Sequence, residues 1–140
     1  MNKLKRRSGF TLFELLIVMA IIGLLLAFLV PNLLGAKDRA KETAVKSVMH
    51  SVQLAVEAYE MENEVYPIET SVTLASFCNN YLMPGGYLAS IPKNPFTGAE
   101  YKDSDAAGKI TYSYDNTTGK YSIKGYNRSG FREIQELTNM

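Results

Sequence analysis

The feature that most constrains this chain is a continuous apolar run over residues 10–30, in which only Thr11 and Glu14 are clearly polar. About 20 apolar residues are enough for a helix to cross a lipid bilayer. Four basic residues and no acid precede the run: Lys3, Lys5, Arg6 and Arg7. Because basic residues beside a span stay in the cytoplasm, the sequence predicts a membrane helix with a cytoplasmic leader.

Glu14 is the one acid inside this run. An ionised side chain within a membrane helix costs about 2.5 to 3.5 kcal/mol unless it is paired or lies near the interface. We therefore expect Glu14 to have a partner. A simpler account is that the positive end of the helix dipole favours an acid in the first turn.

Two other classes of N-terminal segment fit less well. A secretory signal peptide has an apolar core of about 7 to 15 residues followed by a small-residue cleavage site. Here the run is longer, and Ala36 lies beyond Pro31. A plain signal anchor that holds a binding domain at the membrane would explain the length of the run but not Glu14.

Residues 7–16, RSGFTLFELL, together with residues 20–23, AIIG, and Pro31 resemble the amino-terminal segment of type IV prepilins and type II secretion pseudopilins. The match combines a basic leader that ends in glycine, an aromatic next residue, a glutamate at the fifth position after the cut and a closing proline. Phe13 departs from the branched aliphatic residue that usually precedes this glutamate.

The resemblance implies that a prepilin peptidase cleaves the chain between Gly9 and Phe10 and that the new amino group of Phe10 is methylated. It also implies that Glu14 of an incoming subunit pairs with the terminal amine of its neighbour and sets the register of a filament. A charged hydrogen bond of this kind offsets the cost of burying both groups. Within one chain Glu14 and Phe10 are one helical turn apart, so an internal pair is the alternative.

The long helix is expected to continue beyond the span. Pro31 lacks a backbone N–H, and with Gly23 it predicts a helix interruption that bends or melts on packing into a filament. The alternative is that Pro31 simply ends the membrane helix. Residues 31–60 form the amphipathic continuation, with apolar side chains recurring near one helix face at Ala40, Val45, Val48, Val52, Val56 and Tyr59.

The remaining chain, residues 61–140, is predicted to form a globular head. Tyr66 precedes Pro67 and therefore avoids the helical conformation. Residues 68–83 are expected to be a loop with at most a short helix over 74–82. Residues 84–98 are rich in proline and glycine and resemble the segment that enters the sheet in major pseudopilins and short pilins.

Alternation with a period of two predicts an antiparallel hairpin, with strands over residues 109–114 and 120–126 and a turn over 115–119. Residues 131–137 fit a third strand or a short helix, and we favour the strand. The predicted fold class is α+β, the type IV pilin fold: a long N-terminal helix, half membrane-spanning and half amphipathic, with a small antiparallel sheet as head. The domains are a cleaved leader (1–9), a transmembrane and filament-core helix (10–30), its continuation (31–60) and the head (61–140).

Catalytic residues are not predicted. The one histidine, His50, falls on the helix and the one cysteine, Cys78, in a loop, so the sequence offers neither a Cys-His pair nor a metal cluster. His50 is expected at the surface and Cys78 to be a buried thiol. Many type IV pilins close a C-terminal loop with a disulfide, so a single cysteine favours the pseudopilin-like or short-pilin branch.

The resemblance raises calcium as a cofactor, because major pseudopilins bind it in the terminal loop through acidic residues. Here residues 126–130, YNRSG, contain no acid. The calcium candidates are Asp103, Asp105 and Asp115. Otherwise we expect no metal and no cofactor.

The nine tyrosines and six phenylalanines are explained by packing rather than by electron transfer or stacking on nucleic acid bases. Removal of the leader takes away four cations and leaves the mature chain net acidic, so no nucleic acid partner is expected.

The sequence therefore predicts a structural subunit, not an enzyme, of a type IV pilus-like helical filament. The alternative is a major-type pseudopilin of a type II secretion system. The implied partners are copies of itself, the prepilin peptidase, the membrane and an assembly ATPase with its platform. The precursor would lie in the inner membrane, and the filament would be extracellular or periplasmic.

Overall fold

The computed structural model describes residues 9–139, except for the side chain of Asn32. Of the leader predicted to be removed, residues 1–9, only Gly9 lies within the described part of the chain. The chain divides into two compact units, with the boundary between Lys37 and Asp38.

One helix, α1 (Leu12–Asn63), contributes to both units. Its apolar side chains up to Leu34 are exposed, and among the described residues it is one helix with the length and composition to cross a membrane. Helix α1 is continuous through Gly23 and Pro31, so the predicted interruption is not present as a break in the single chain. Bending or melting of this segment in a packed filament stays a prediction.

Helix α1 ends three residues beyond the predicted boundary, at Asn63. Glu64 follows with a φ of 60°, and its amide donates to the carbonyl of Glu60 at 2.7 Å. A left-handed residue after the last turn is a common helix terminator, although glycine usually occupies it.

The second unit contains a four-stranded antiparallel sheet in which consecutive strands are neighbours. Its strands are β1 (Val72–Thr73), β2 (Ile110–Asp115), β3 (Lys120–Tyr126) and β4 (Glu133–Thr138). Helix α2 (Leu74–Phe77) and a π-helical turn (Cys78–Leu82) follow β1. The predicted α+β architecture is confirmed.

The predicted hairpin is β2 and β3, and its turn has a clear local cause. The carboxylate of Asp115 accepts hydrogen bonds from the Thr117 amide at 2.8 Å and the Thr118 hydroxyl at 2.9 Å. Gly119 then adopts a φ of 68°, which costs glycine no steric strain. Turn chemistry at residues 115–119 therefore fixes the register of the two strands.

The core lies between the sheet and the part of α1 that belongs to the second unit. Helix α1 contributes Val45, Met49, Val52 and Val56, all fully buried, and the sheet contributes Ile110, Tyr112, Tyr121 and Ile123. The predicted apolar stripe was wrong at Ala40, which is exposed, and it omitted Met49. Ala40 precedes the first fully buried helix residue, Val45, so its spacing alone could not show that nothing covers it.

Gly125 on β3 lies close to Met49 and Val45 of α1. A Cβ at this position would lie 2.4 Å from the sulfur of Met49 and 3.4 Å from Cγ1 of Val45. A larger residue here would require the Met49 side chain or the helix to shift, and β3 also changes register at this point.

Candidate functional site

The residues predicted to be processed lie at the start of the described chain. Gly9 and Phe10 are exposed and precede the first helical residue, Leu12. A Cβ on Gly9 would meet nothing within 4 Å. The bond between Gly9 and Phe10 is therefore accessible and lies outside the helix.

Glu14 forms a reciprocal pair with Thr11, which sequence reasoning missed. Its carboxylate accepts hydrogen bonds from the Thr11 amide and the Thr11 hydroxyl, both at 2.9 Å. In return the Thr11 hydroxyl accepts from the Glu14 amide at 3.1 Å. The T-x-x-E spacing of this capping box was visible in the sequence.

The capping box gives Glu14 a hydrogen-bonding partner within its own chain. The carboxylate is bonded to Thr11, and no hydrogen bond to Phe10 occurs within the described residues. Glu14 thus has a local partner before any neighbour arrives. A pair with a terminal amine would have to replace or supplement these bonds.

The helix around Glu14 offers an apolar surface. The large side chains over residues 12–34 are exposed, including Leu15, Ile22 and Phe28. A continuous exposed apolar surface of this size marks a membrane or protein contact, because water disfavours it. The segment is suited to lipid or to packing with other helices.

Three side chains anchor the first turns of the helix in the second unit. Asp38 pairs with Arg128 at 3.1 Å, Glu42 pairs with Arg132 at 2.9 Å, and Lys41 donates to the Phe96 carbonyl at 3.1 Å. Exposed ion pairs contribute little individually, but the two arginines come from one loop. Together they fix residues 127–132 to this part of α1.

The tyrosines predicted to pack are packed. Tyr112 stacks on Phe77 at 4.0 Å and donates to the Pro67 carbonyl at 2.8 Å. The hydroxyls of Tyr66 and Tyr121 both donate to the carboxylate of Glu57. Burial raises the pKa of Tyr66 to about 12, with a further contribution from the hydrogen bond to Glu57.

The described residues contain no group of three or more histidine, cysteine, aspartate or glutamate side chains that could hold a metal. His50 is exposed and Cys78 is fully buried, as predicted. Burial raises the pKa of the Cys78 thiol to about 12, which keeps it protonated and unreactive at neutral pH.

The three calcium candidates do not form one site. Asp103 accepts hydrogen bonds from Thr73 and Ser76, whereas Asp105 accepts from Asn94 at 3.0 Å and the Lys102 amide at 3.1 Å. Asp115 belongs to the β2–β3 turn. Calcium takes six to eight oxygens converging on one point, and carboxylates used separately to order three loops do not fit that requirement.

The terminal loop is organised by Asn127 instead of by acids. Its side-chain oxygen accepts from the Ser129 hydroxyl at 2.8 Å and the Arg132 amide at 3.3 Å. Its backbone amide donates to the Arg132 carbonyl at 2.9 Å. This loop therefore carries two cationic side chains, Arg128 and Arg132, and no carboxylate over residues 127–132.

Comparison with known proteins gives three findings. A family model for the prokaryotic N-terminal methylation motif matches residues 4–30. Type II secretion system core protein G from Vibrio cholerae is 36% identical over 109 residues, which cover 73% of each chain. The protein of the same name from Klebsiella pneumoniae is 33% identical over 107 residues, which cover 71% of this chain and 75% of the relative. Type IV wide pilus major component PilA4 from Thermus thermophilus is 44% identical over 63 residues, covering 45% of this chain and 48% of the relative.

No solved structure matches the chain. The relatives are named as a secretion-system core protein and a pilus component, and neither name describes an enzyme.

Proposed function

Since the chain belongs to the family of type IV pilins and type II secretion pseudopilins, we propose that it is a structural subunit that polymerises with copies of itself into a helical filament. The observation that carries this proposal is the exposed apolar surface of α1 over residues 12–34. In a filament these side chains pack on the helices of other copies.

We propose that a prepilin peptidase cleaves between Gly9 and Phe10 and that the amino group of Phe10 is methylated. The methylation motif matched over residues 4–30 and the exposed, non-helical placement of this bond support the cleavage site. The leader stays in the cytoplasm until it is removed, and the precursor is anchored in the inner membrane by the helix that follows.

Glu14 is the proposed register residue. In the single chain the Thr11 amide and hydroxyl hold its carboxylate at the exposed helix start. In the filament the carboxylate pairs with the terminal amine of a neighbouring copy, and the charged pair compensates for the loss of lipid headgroups and water around it. Assembly by this route requires an ATPase and a membrane platform to extract the subunit.

Two uses of such a filament follow from the relatives: an extracellular type IV pilus and a periplasmic pseudopilus that drives type II secretion. Deletion of the gene separates them. Loss of surface fibres with normal secretion supports the pilus, whereas enzymes trapped in the periplasm support the pseudopilus. Complementation with the wild-type chain must restore the lost property, and a deletion that affects neither would count against both uses.

A further inference from the structure

Two separate parts of the second unit expose large apolar side chains. Phe131 is 91% exposed in the loop before β4, and Met61 is 81% exposed in the last turn of α1. Val65 and Ile68, just after the helix, are also exposed. A group of exposed apolar side chains such as Met61, Val65 and Ile68 is typical of a contact surface, whereas a lone exposed side chain such as Phe131 needs a second observation before a contact is assigned to it.

Phe131 lies at the end of the unit where α1 enters it. Arg128 and Arg132, on either side of Phe131, pair with Asp38 and Glu42 and so place the loop beside the first turns. Each pair uses one guanidinium nitrogen, and the arginine side chains remain 69% and 65% exposed. Because a guanidinium has five N–H donors, both arginines keep donors for another partner. We call this surface, defined by Arg128, Phe131 and Arg132, the basal surface.

Met61, Val65 and Ile68 define a second surface, the distal surface, and its charge has the opposite sign. Residues 60–69 contain four glutamates and neither lysine nor arginine: Glu60, Glu62, Glu64 and Glu69. Acids at the C-terminal end of a helix oppose the helix dipole, so the fold alone does not favour them there. A cationic partner would remove this penalty.

The two surfaces lie far apart on one unit. Glu42 and Met61 are separated by 19 residues of continuous helix, which corresponds to about 28 Å. A copy therefore cannot satisfy its distal surface with its own basal surface. Complementary surfaces at opposite ends of one subunit make head-to-tail contacts, which extend into open helical assemblies when they do not close into a ring.

We propose that the basal surface of one copy binds the distal surface of the next copy along the filament, with Phe131 packed against Met61, Val65 and Ile68 and with Arg128 and Arg132 facing the glutamates. This inference rests on the proposed function, since it assigns a contact within the proposed filament. The occupant is a second copy because residues 38–42 and 128–132 together carry two more cations than acids, which complements the acidic distal end.

Disulfide crosslinking in cells that assemble the full-length chain tests the contact. In the double variant Phe131→Cys/Met61→Cys each copy carries one cysteine on the basal surface and one on the distal surface. Oxidation should therefore link successive copies by disulfides and give a ladder of covalent multimers on denaturing gels. The native Cys78 is fully buried and should give no ladder in the wild type. The matched control is Phe131→Cys/Leu54→Cys, because Leu54 is exposed on the same helix but lies about 10 Å from Met61 along the axis.

A ladder from the Met61 pair and not from the Leu54 pair supports the contact. Assembled filaments without a ladder, or equal ladders from both pairs, overturn it and leave the proposed function standing. If the wild-type chain forms no filaments at all, the proposed function fails and the inference falls with it.

Phe131→Ala provides a test that does not depend on cysteine chemistry. Since Phe131 contributes almost no buried surface to its own unit, the melting temperature of the full-length chain in detergent should be unchanged. Filament yield should drop severalfold relative to Leu54→Ala. An unchanged yield would overturn the proposal.

Discussion

At the scale of single residues, Glu14 has one role in the single chain and a second, proposed role in the filament, and mutation can separate the two. Its carboxylate completes a capping box with Thr11 in the single chain, and we propose that its charge pairs with the amine of a neighbour in the filament. Glutamine also serves in a capping box, because its side-chain oxygen accepts the same hydrogen bonds. A glutamine at position 14 therefore separates the contribution of the negative charge from that of the helix cap.

Glu14→Gln should leave cleavage of the leader intact and reduce filament yield at least tenfold, since it keeps the cap but removes the charge. The matched control, Thr11→Ala, removes the cap and costs the helix start about 1 kcal/mol. It should assemble nearly normally. Quantifying filaments and processed protein by immunoblot checks both variants, and normal yield from Glu14→Gln would show that the charge is dispensable.

At the scale of elements, Gly125 sets how closely β3 can lie against α1. In Gly125→Ala the added Cβ would lie 2.4 Å from the Met49 sulfur, so the helix or the side chain must shift. Overpacking of this kind costs about 1 to 3 kcal/mol of unfolding free energy. Chemical denaturation of the full chain in detergent measures it.

Met49→Ala supplies the matched background for this variant. If the clash with Met49 is the cause, Gly125→Ala should destabilise the Met49→Ala chain by clearly less than it destabilises the wild type. Equal losses in the two backgrounds would place the cause elsewhere, such as in the register change of β3.

The alkaline stability of the sheet is a second property of the packed elements. Burial is the main cause of the raised pKa values of Tyr66, Tyr112 and Tyr121, and hydrogen bonds to Glu57 contribute at Tyr66 and Tyr121. In the unfolded chain these phenols ionise near pH 10. The contribution of these phenols to the free energy of unfolding is fully present below about pH 10. It is lost as the pH rises from there through the higher pKa values of the folded state, because the unfolded chain releases its phenolic protons first.

The denaturation midpoint should therefore be flat from pH 7 to 9 and fall steeply above pH 10. Tyr66→Phe keeps the ring and removes one titrating group, so it should have a shallower fall above pH 10 than the wild type. A midpoint that is independent of pH up to 12 would contradict the role given to these phenols.

Local chemistry determined which elements could be predicted from the sequence. The β2–β3 hairpin followed from alternation together with the Asp115 and Gly119 turn, and the long helix followed from its composition. The two-residue strand β1 is too short to show a period, so only its pairing with β2 reveals it. The pattern of residues 131–137 fits both a strand and a short helix. Pairing with β3 shows that Glu133–Thr138 forms strand β4, and Phe131 lies before it.

The candidate functional residues divide in the same way. Gly9, Phe10 and Glu14 were predicted from a motif, whereas the Thr11 cap was overlooked although its spacing was visible. The anchoring of Arg128 and Arg132 to Asp38 and Glu42 spans 90 residues of sequence, and no local pattern encodes such a contact. Only the fold brings these four side chains together.

At the scale of the whole molecule, we propose that stability is independent of calcium. Asp103, Asp105 and Asp115 each order a different segment, and the terminal loop relies on Asn127, Arg128 and Arg132. The melting temperature should be the same with millimolar calcium and with chelator. A rise of several degrees with calcium, absent with magnesium, would show a site that these contacts do not reveal.

Lowering the pH should reduce the stability of the folded chain more than adding or removing calcium does. Hydrogen bonds from Thr73 and Ser76 lower the pKa of Asp103, and bonds from Thr117 and Thr118 lower the pKa of Asp115. A carboxylate whose pKa is lowered by folding stabilises the folded state at pH values above its ordinary pKa. This stabilisation is lost as the pH falls through the lowered pKa. Calcium and chelator should therefore be compared at constant pH.

The central claim is that this chain becomes a filament subunit only after its leader is removed between Gly9 and Phe10. The most direct measurement is the intact mass of the full-length gene product purified from cells that contain the assembly machinery, followed by sequencing of its N-terminal peptide. Our account predicts a chain that begins at Phe10 and carries one additional methyl group on its terminal nitrogen. A chain that retains residues 1–9, or one that begins elsewhere, would contradict the account.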